Sequence, residues 1–379
     1  MAFQYVLLFG ATGVSLPFAG LWLREQGFSG AEIGVLLAAP MLARIITGPA
    51  IAVWADGFSR RRSPIAILGF AAALGYAGAG LTEGVLVQGL LWFVGATAMA
   101  GLIPLTDVLT LALARRHRFD FAWPRGCGSA AFVAANVLMG AVLTRASIDW
   151  IVVWIAAAGA LMALFAALFL PVEPVSDGPR IAGRERFAGL ARLSVDPTFM
   201  TAILAIGAVQ ATHGFYYGFS AIVWKAQGLD ETVTGLLWAM SVVVEIAFMW
   251  WFEPWRRRRG IGPWLMLMLG GAAAVVRWTA LAFLPPLWLL WPLQALHALT
   301  FAATYLAGVQ IIERLAPPGG HTAAQTLNSV MAAGVLIGLA TLAAGPLYDH
   351  AGALGYLSMT AMAVVGLGLG WRLRRTAEV

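Results

Sequence analysis

Twelve apolar runs, most of them parted by only a few polar residues, leave this chain very little choice of fold. They lie at roughly 2–23, 31–54, 64–82, 85–113, 121–144, 150–170, 198–224, 231–253, 262–284, 286–312, 321–347 and 352–371. A helix crossing hydrocarbon needs about 20 mostly apolar residues, because lipid offers backbone groups no partner but the helix itself. Of the 379 residues, 60% are hydrophobic and 11% charged. A soluble domain is roughly 45–50% apolar and about 25% charged, so this surplus has no aqueous surface that could hide it. A soluble enzyme, a disordered chain and a nucleic-acid binder are excluded, despite a net charge of +6. The single cysteine, Cys127, excludes a disulfide framework and a multi-cysteine metal site; neither a metal nor a cofactor is expected. The first run has no basic segment before it and no small-residue cleavage site after it, so it reads as a span and not as a signal peptide. The fold class is an all-α polytopic membrane protein.

The segment 171–196 is polar, bears Pro and Gly, and stands mid-chain. It reads as a linker between a six-helix bundle at 1–170 and a second at 197–379. The basic residues orient the chain. Eighteen fall on one side: Arg60, Arg61, Arg62, Arg115, Arg116, Arg118, Arg180, Arg184, Arg186, Arg192, Arg256 to Arg259, Arg314, Arg372, Arg374 and Arg375. Arg24, Arg145 and Lys225 fall on the other, and Arg44, Arg125 and Arg277 lie within spans. The positive-inside rule then puts both termini and the linker in the cytoplasm, here of a bacterial inner membrane. Trp54, Trp123, Trp255, Trp264 and Trp371 read as anchors at that interface, and Trp22, Trp150, Trp224 and Trp288 at the opposite one.

Sliding the chain against itself by 201 residues aligns the start of each half without gaps. Leu23-Arg24-Glu25-Gln26-Gly27-Phe28 lies over Trp224-Lys225-Ala226-Gln227-Gly228-Leu229, with identities that include Gly13/Gly214, Phe18/Phe219, Gly34/Gly235 and Ile45/Ile246. An even number of spans per half makes the copies parallel, related by an axis along the membrane normal. Parallel halves with a site between them are an architecture of secondary transporters.

The stretch Ala52-Val53-Trp54-Ala55-Asp56-Gly57-Phe58-Ser59-Arg60-Arg61-Arg62 resembles the major facilitator signature G-x-L-A-D-R-x-G-R-R. Asp56, Arg60 and Arg61 match it; Ala52, Gly57 and Ser59 depart from it. The resemblance implies that these three matching residues help to lock a cytoplasmic gate. Pro104-Leu105-Thr106-Asp107, Arg125-Gly126-Cys127-Gly128-Ser129 and Gln294-Ala295-Leu296-His297-Ala298-Leu299-Thr300-Phe301 are similar to the phenylpropionate-permease branch, distant kin of the galactoside–proton symporters. In those symporters a glutamate follows the histidine by three residues; Thr300 stands there in this chain.

Charges at bilayer depth cost about 2.5–3.5 kcal/mol on insertion scales unless paired or hydrated, so each is a functional candidate. Asp107 in the fourth span and Arg125 in the fifth stand at similar depth and are expected to pair. Arg44 and Glu245 are equivalent under the repeat, near mid-span, and form either a static pair or a switching one. Arg277 has no evident acidic partner, which leaves one positive charge for an anionic substrate to neutralise, or else a guanidinium that snorkels or meets backbone carbonyls. Gln210, His213 and Tyr217 share a face of the seventh span, and Gln294, His297 and Thr304 one of the tenth, with Thr300 beside it. In the superfamily that is resembled, spans 1, 4, 7 and 10 line the cavity.

These residues divide into expected roles. Glu245, Asp107 and His297 are candidates for proton coupling. Arg44, Arg125, Arg277, Gln210, His213, Tyr217, Gln294, Thr300 and Tyr305 are candidates for substrate binding. The resemblance implies a monomeric carrier for proton-coupled uptake of a small organic substrate, an aromatic monocarboxylate such as a phenylpropionate, working by alternating access. A sugar or nucleoside carrier, or an exporter of the same superfamily, is the alternative. An integral-membrane transferase has only the weak His117-Arg118-Phe119-Asp120 to support it.

Overall fold

The computed structural model describes residues 1–172, 193–317 and 320–377, and among these it holds helices and no strand. The first half supplies α1 (Ala2–Glu25), α2 (Gly30–Asp56), α3 (Arg62–Leu81), α4 (Val85–His117), α5 (Ala122–Leu143) and α6 (Trp150–Leu168). The second supplies α7 (Pro197–Ala226), α8 (Glu231–Arg258), α9 (Pro263–Ala282) and α10 (Leu287–Leu315). The apolar stretch that follows, Ala323–Arg374, has 52 residues. As one helix it would be about 78 Å long, more than twice the hydrocarbon thickness of about 30 Å. It breaks where Gly352 turns to φ 54° and a 3₁₀ turn, Gly352–Gly355, follows. That break makes two helices, α11 (residues 321–351) and α12 (Tyr356–Ala377), and brings the total among the described residues to twelve. Most of the linker expected at 171–196, with Arg180, Arg184, Arg186 and Arg192, lies outside the described residues.

The 201-residue repeat has a physical form in the turns. Gly27 and Gly228 take φ 89° and 88°, a left-handed conformation that costs glycine nothing. Each closes its helix in the same way: Gly27 N–H donates to the Arg24 carbonyl and Gly228 N–H to that of Lys225, while Phe28 and Leu229 reach back to Leu23 and Trp224. The next helix then starts on an equivalent cap. Ser29 forms a capping box with Glu32, and Asp230 accepts from the Val233 amide at 2.7 Å. Packing repeats as well. α3 contacts α4 and α6 as α9 contacts α10 and α12, and α1 contacts α5 and α6 as α7 contacts α11 and α12.

The compact units do not follow the two halves residue for residue. One unit takes α1–α6 together with Gly218–Ala239; the other takes the remainder of α7 and α8 with α9–α12. Within the first unit the borrowed segment sits very close to α1 and α5. A Cβ on Gly20 would lie 2.1 Å from the Gly218 carbonyl oxygen, and one on Gly235 only 2.3 Å from that of Asn136. Two expected interface anchors are corrected here. Trp22 and Trp224 are each 1% exposed; Trp22 stacks on Trp92 and donates to Asp149, so both serve packing. Trp123 and Trp288 are exposed, as anchors would be.

Gly235→Leu is therefore expected to push α8 off α5, and overpacking of this kind costs roughly 1–3 kcal/mol. Thermal unfolding in detergent should show a lowered midpoint, with Gly126→Leu, where a Cβ meets nothing within 4 Å, as an unshifted control. An unchanged midpoint for Gly235→Leu would mean that the seam is slack.

Candidate functional site

Two polar clusters, one in each unit, hold candidate residues. In the first unit Tyr5 on α1 donates its hydroxyl to Asp107 Oδ1 at 2.6 Å, and Arg125 Nη1 contacts both Asp107 oxygens at 2.6 and 2.7 Å. The guanidinium also lies over the rings of Phe9 and Phe121. The carboxylate thus has both an ionic and a neutral donor, and α1, α4 and α5 are tied at one level. Arg44, by contrast, is exposed on α2. Asp56 and Arg60 are exposed at the α2–α3 turn, with Arg61 half-buried beside them.

The second cluster brings four helices onto one buried cation. Arg277 on α9 is 0% exposed. Its Nη1 donates to His297 Nδ1 and to Thr300 Oγ1, each at 3.1 Å, and its Nη2 to Gln294 Oε1 at 2.7 Å. The aromatic rings of Tyr216 and Trp278 lie 4.8 and 4.6 Å from its Cζ. All three acceptors are uncharged, and among the described residues no carboxylate forms an ion pair with this arginine. Glu245 on α8 stands one residue removed, with its Oε2 3.6 Å from His297 Nε2.

Local backbone explains how α7 and α10 present these groups. α7 is interrupted at Thr212, whose hydroxyl donates to the Val209 carbonyl, so Gln210 and His213 flank a break. α10 carries Pro292 and turns at Leu296, and a π-helical segment, Ala298–Ala303, follows. Breaks and π turns open the carbonyl ladder at functional sites and re-aim the side chains nearby. The freed carbonyls are used: Gln210 Nε2 donates to the Phe301 carbonyl, and His213 contacts that of Gln210. α9 comes up against this turn through Gly270, where a Cβ would meet Thr304 Oγ1 at 2.2 Å. Arg277 is seven residues on, along the same face.

Because an arginine only donates, the proton positions in the network follow. His297 Nδ1 must accept from Arg277, so it is bare and the ring proton is on Nε2, aimed at Glu245. His213 Nδ1 faces a carbonyl at 2.9 Å, so it carries the proton and donates. Its bare Nε2 then accepts from the Thr300 hydroxyl at 3.1 Å, while Thr300 Oγ1 accepts from Arg277. Gln294 Oε1 also accepts from Tyr216 and Ser241, at 3.0 and 2.8 Å. Buried donors remain over: Arg277 Nε, Gln294 Nε2 and Trp278 Nε1 have no partner, nor does the Tyr356 hydroxyl.

A match to the MFS_1 like family runs over residues 1–357. The chain belongs to the major facilitator superfamily. As a member it is a transporter, and the comparisons extend the likeness over its whole length. It is 30% identical over 374 residues to a probable 3-phenylpropionic acid transporter of Escherichia coli (strain K12), covering 97% of this chain and 94% of that one. With a maltose permease of Geobacillus stearothermophilus it shares 26% over 378 residues, covering 96% and 91%. The crystal structure of the nucleoside transporter NupG superposes with a TM-score of 0.81 at 17% identity, covering 100% of this chain and 98% of the other.

The second cluster gathers seven of the residues singled out by sequence: Gln210, His213, Glu245, Arg277, Gln294, His297 and Thr300. Tyr217 stands at its edge against His213, and Tyr305 is half exposed and stacked on Phe301. Asp107 and Arg125 form the expected pair. Arg44 is exposed on α2, and Glu245 lies 3.6 Å from the neutral ring of His297. Sequence reasoning missed Ser241, although it lies one turn before Glu245 on the same helix, and it missed Tyr5. It also counted Arg256 as an interfacial charge, whereas Arg256 is buried against Glu253, at 2.6 Å, and Gln310.

A buried charge with only neutral partners serves something other than stability. Arg277→Met is expected to unfold at or above the parent's midpoint. Gln294→Leu, which strips the acceptor from three buried donors, should lower stability by about 1–3 kcal/mol. Thermal unfolding of both variants tests this, and an Arg277→Met protein as damaged as Gln294→Leu contradicts it.

Proposed function

We propose that this transporter carries a small aromatic monocarboxylate into the cell together with a proton, by alternating access. The reading rests on Arg277: a fully buried guanidinium held by neutral acceptors alone, and walled by aromatic rings. A carboxylate takes two parallel N–H donors from a guanidinium and so satisfies the charge and the geometry together. The surplus in the cluster is of donors, which suits an acceptor-only group. A sugar or nucleoside brings hydroxyls that need acceptors as well. The rings of Trp278 and Tyr356 stack in parallel at 5.8 Å, with Tyr216 against Trp278, a wall suited to a flat apolar body. The E. coli relative bears the name of such an acid.

The proton rides on Glu245 and its partner His297, the carboxylate–imidazole pair adjoining the arginine. Asp107, with Arg125 and Tyr5, holds the first unit's helices at a level where a second coupling group could act, and Asp56, Arg60 and Arg61 serve the gate at the arginine-rich end. That end faces the cytoplasm of a bacterial inner membrane, in which the protein works as a monomer.

Proteoliposomes with a trapped pH dye test the reading. Addition of 3-phenylpropionate should acidify the lumen, and Arg277→Gln should weaken binding about 10- to 100-fold. Glu245→Gln is expected to lose accumulation against a gradient while keeping exchange. Undiminished uphill uptake by that variant removes Glu245 from the mechanism; binding of sugars or nucleosides in place of the acid overturns the substrate assignment.

A further inference from the structure

We infer that Arg277 and the coupling proton compete for one lone pair, on Nδ1 of His297, so that the substrate carboxylate admits a single proton by drawing the arginine away. This deepens the reading just given and rests on it. The geometry is a matter of donors and acceptors. Arg277 Nη1 points at His297 Nδ1 from 3.1 Å, and two donors cannot share that line. While the arginine is there, Nδ1 stays bare.

A carboxylate that takes Arg277's donors reverses the demand. The guanidinium turns its N–H groups to the carboxylate oxygens, and Nδ1 is left facing an acceptor. A proton from solution then bonds to the Nδ1 lone pair, and the N–H so formed donates to the carboxylate. The imidazolium keeps its other N–H on Nε2, 3.6 Å from Glu245 Oε2, and that carboxylate supplies its counter-charge. One anion and one proton enter, so the cargo is neutral and the cluster's net charge is the same before and after.

Apart from Glu245, which supplies the counter-charge, the surroundings of His297 offer this proton no other seat among the described residues. From α7, His213 meets it ring to ring at 5.3 Å, but both nitrogens of His213 are engaged, with the Gln210 carbonyl and the Thr300 hydroxyl. Tyr217 lies beyond His213. α8 contributes Glu245, and α9 contributes Arg277. On α10 itself the neighbours are Phe301, stacked at 5.2 Å, and the neutral Gln294 and Thr300. Thr300 stands where galactoside symporters carry a glutamate, so α10 places no carboxylate one turn from His297; its Glu313 lies 16 residues on.

Calorimetric titration of the purified full chain with 3-phenylpropionate, in buffers of different ionisation heat, counts the protons. At about pH 7.5 the wild type should take up about one proton per ligand, and His297→Gln, whose side-chain oxygen still accepts from Arg277, should bind more weakly and take up about none. A role of His297 in packing alone would change affinity without changing the proton count. If His297→Gln still takes up a proton, the seat is on Glu245 and this inference fails while proton coupling stands. A wild type that binds without proton uptake overturns proton coupling itself, and one that does not bind overturns the carboxylate assignment. A second measurement needs only the wild type. Uptake of 3-phenylpropionate into proteoliposomes should follow the pH gradient and ignore a potassium–valinomycin potential; uptake that follows the potential contradicts one-to-one exchange at Nδ1.

Discussion

A guanidinium that keeps its proton and is closed off from water has to be answered by acceptors, and Arg277 dictates what its neighbours can be. Its three acceptors are an amide oxygen, a hydroxyl and an imidazole nitrogen. Each is neutral, and each is fixed in orientation by the fact that arginine cannot accept. That requirement passes outward: it sets the tautomer of His297, while the Gln210 carbonyl sets that of His213, whose bare Nε2 takes the Thr300 hydroxyl. One charge thereby orders side chains on α7, α8, α9 and α10.

Such a network asks for irregular backbone. An unbroken helix uses every carbonyl internally, and side chains at its regular spacing would not converge on one nitrogen fork. The interruption of α7 at Thr212 and the π turn of α10 after His297 release carbonyls for Gln210 and His213. Close approach of α9 at Gly270 then delivers the arginine. A site whose helices are broken and whose central charge is neutralised only at a distance has been given stability to lose, which is what a binding site for an anion needs.

Much of this was legible in the sequence, because lipid is a strict solvent. Apolar length gave the spans, and the repeat at 201 residues located the two turns that Gly27 and Gly228 close identically. Spacing of three residues put Gln294 beside His297 and Gln210 beside His213, and counting charges singled out Arg277. What sequence could not supply was rotation and pairing. Arg44 and Glu245 are equivalent in the repeat, yet equivalence fixes a place along the helix and not a partner; one is exposed and the other meets His297. Arg256 sits in a run of four arginines, and only the fold shows that it alone among them is buried, although Arg257 also reaches Glu253. The tryptophans at 22 and 224 follow the same logic, since a residue at a helix end can face a neighbouring helix as readily as a headgroup.

The claim on which all of this depends is that His297 is neutral, with a bare Nδ1 occupied by Arg277. Nitrogen NMR of the ¹⁵N-histidine-labelled protein, with the His297 signals assigned through a His297→Gln spectrum, reads it directly at neutral pH without ligand. The account predicts one unprotonated, hydrogen-bonded ring nitrogen at Nδ1 and one protonated at Nε2. A proton on Nδ1, or an imidazolium in the ligand-free protein, would contradict it.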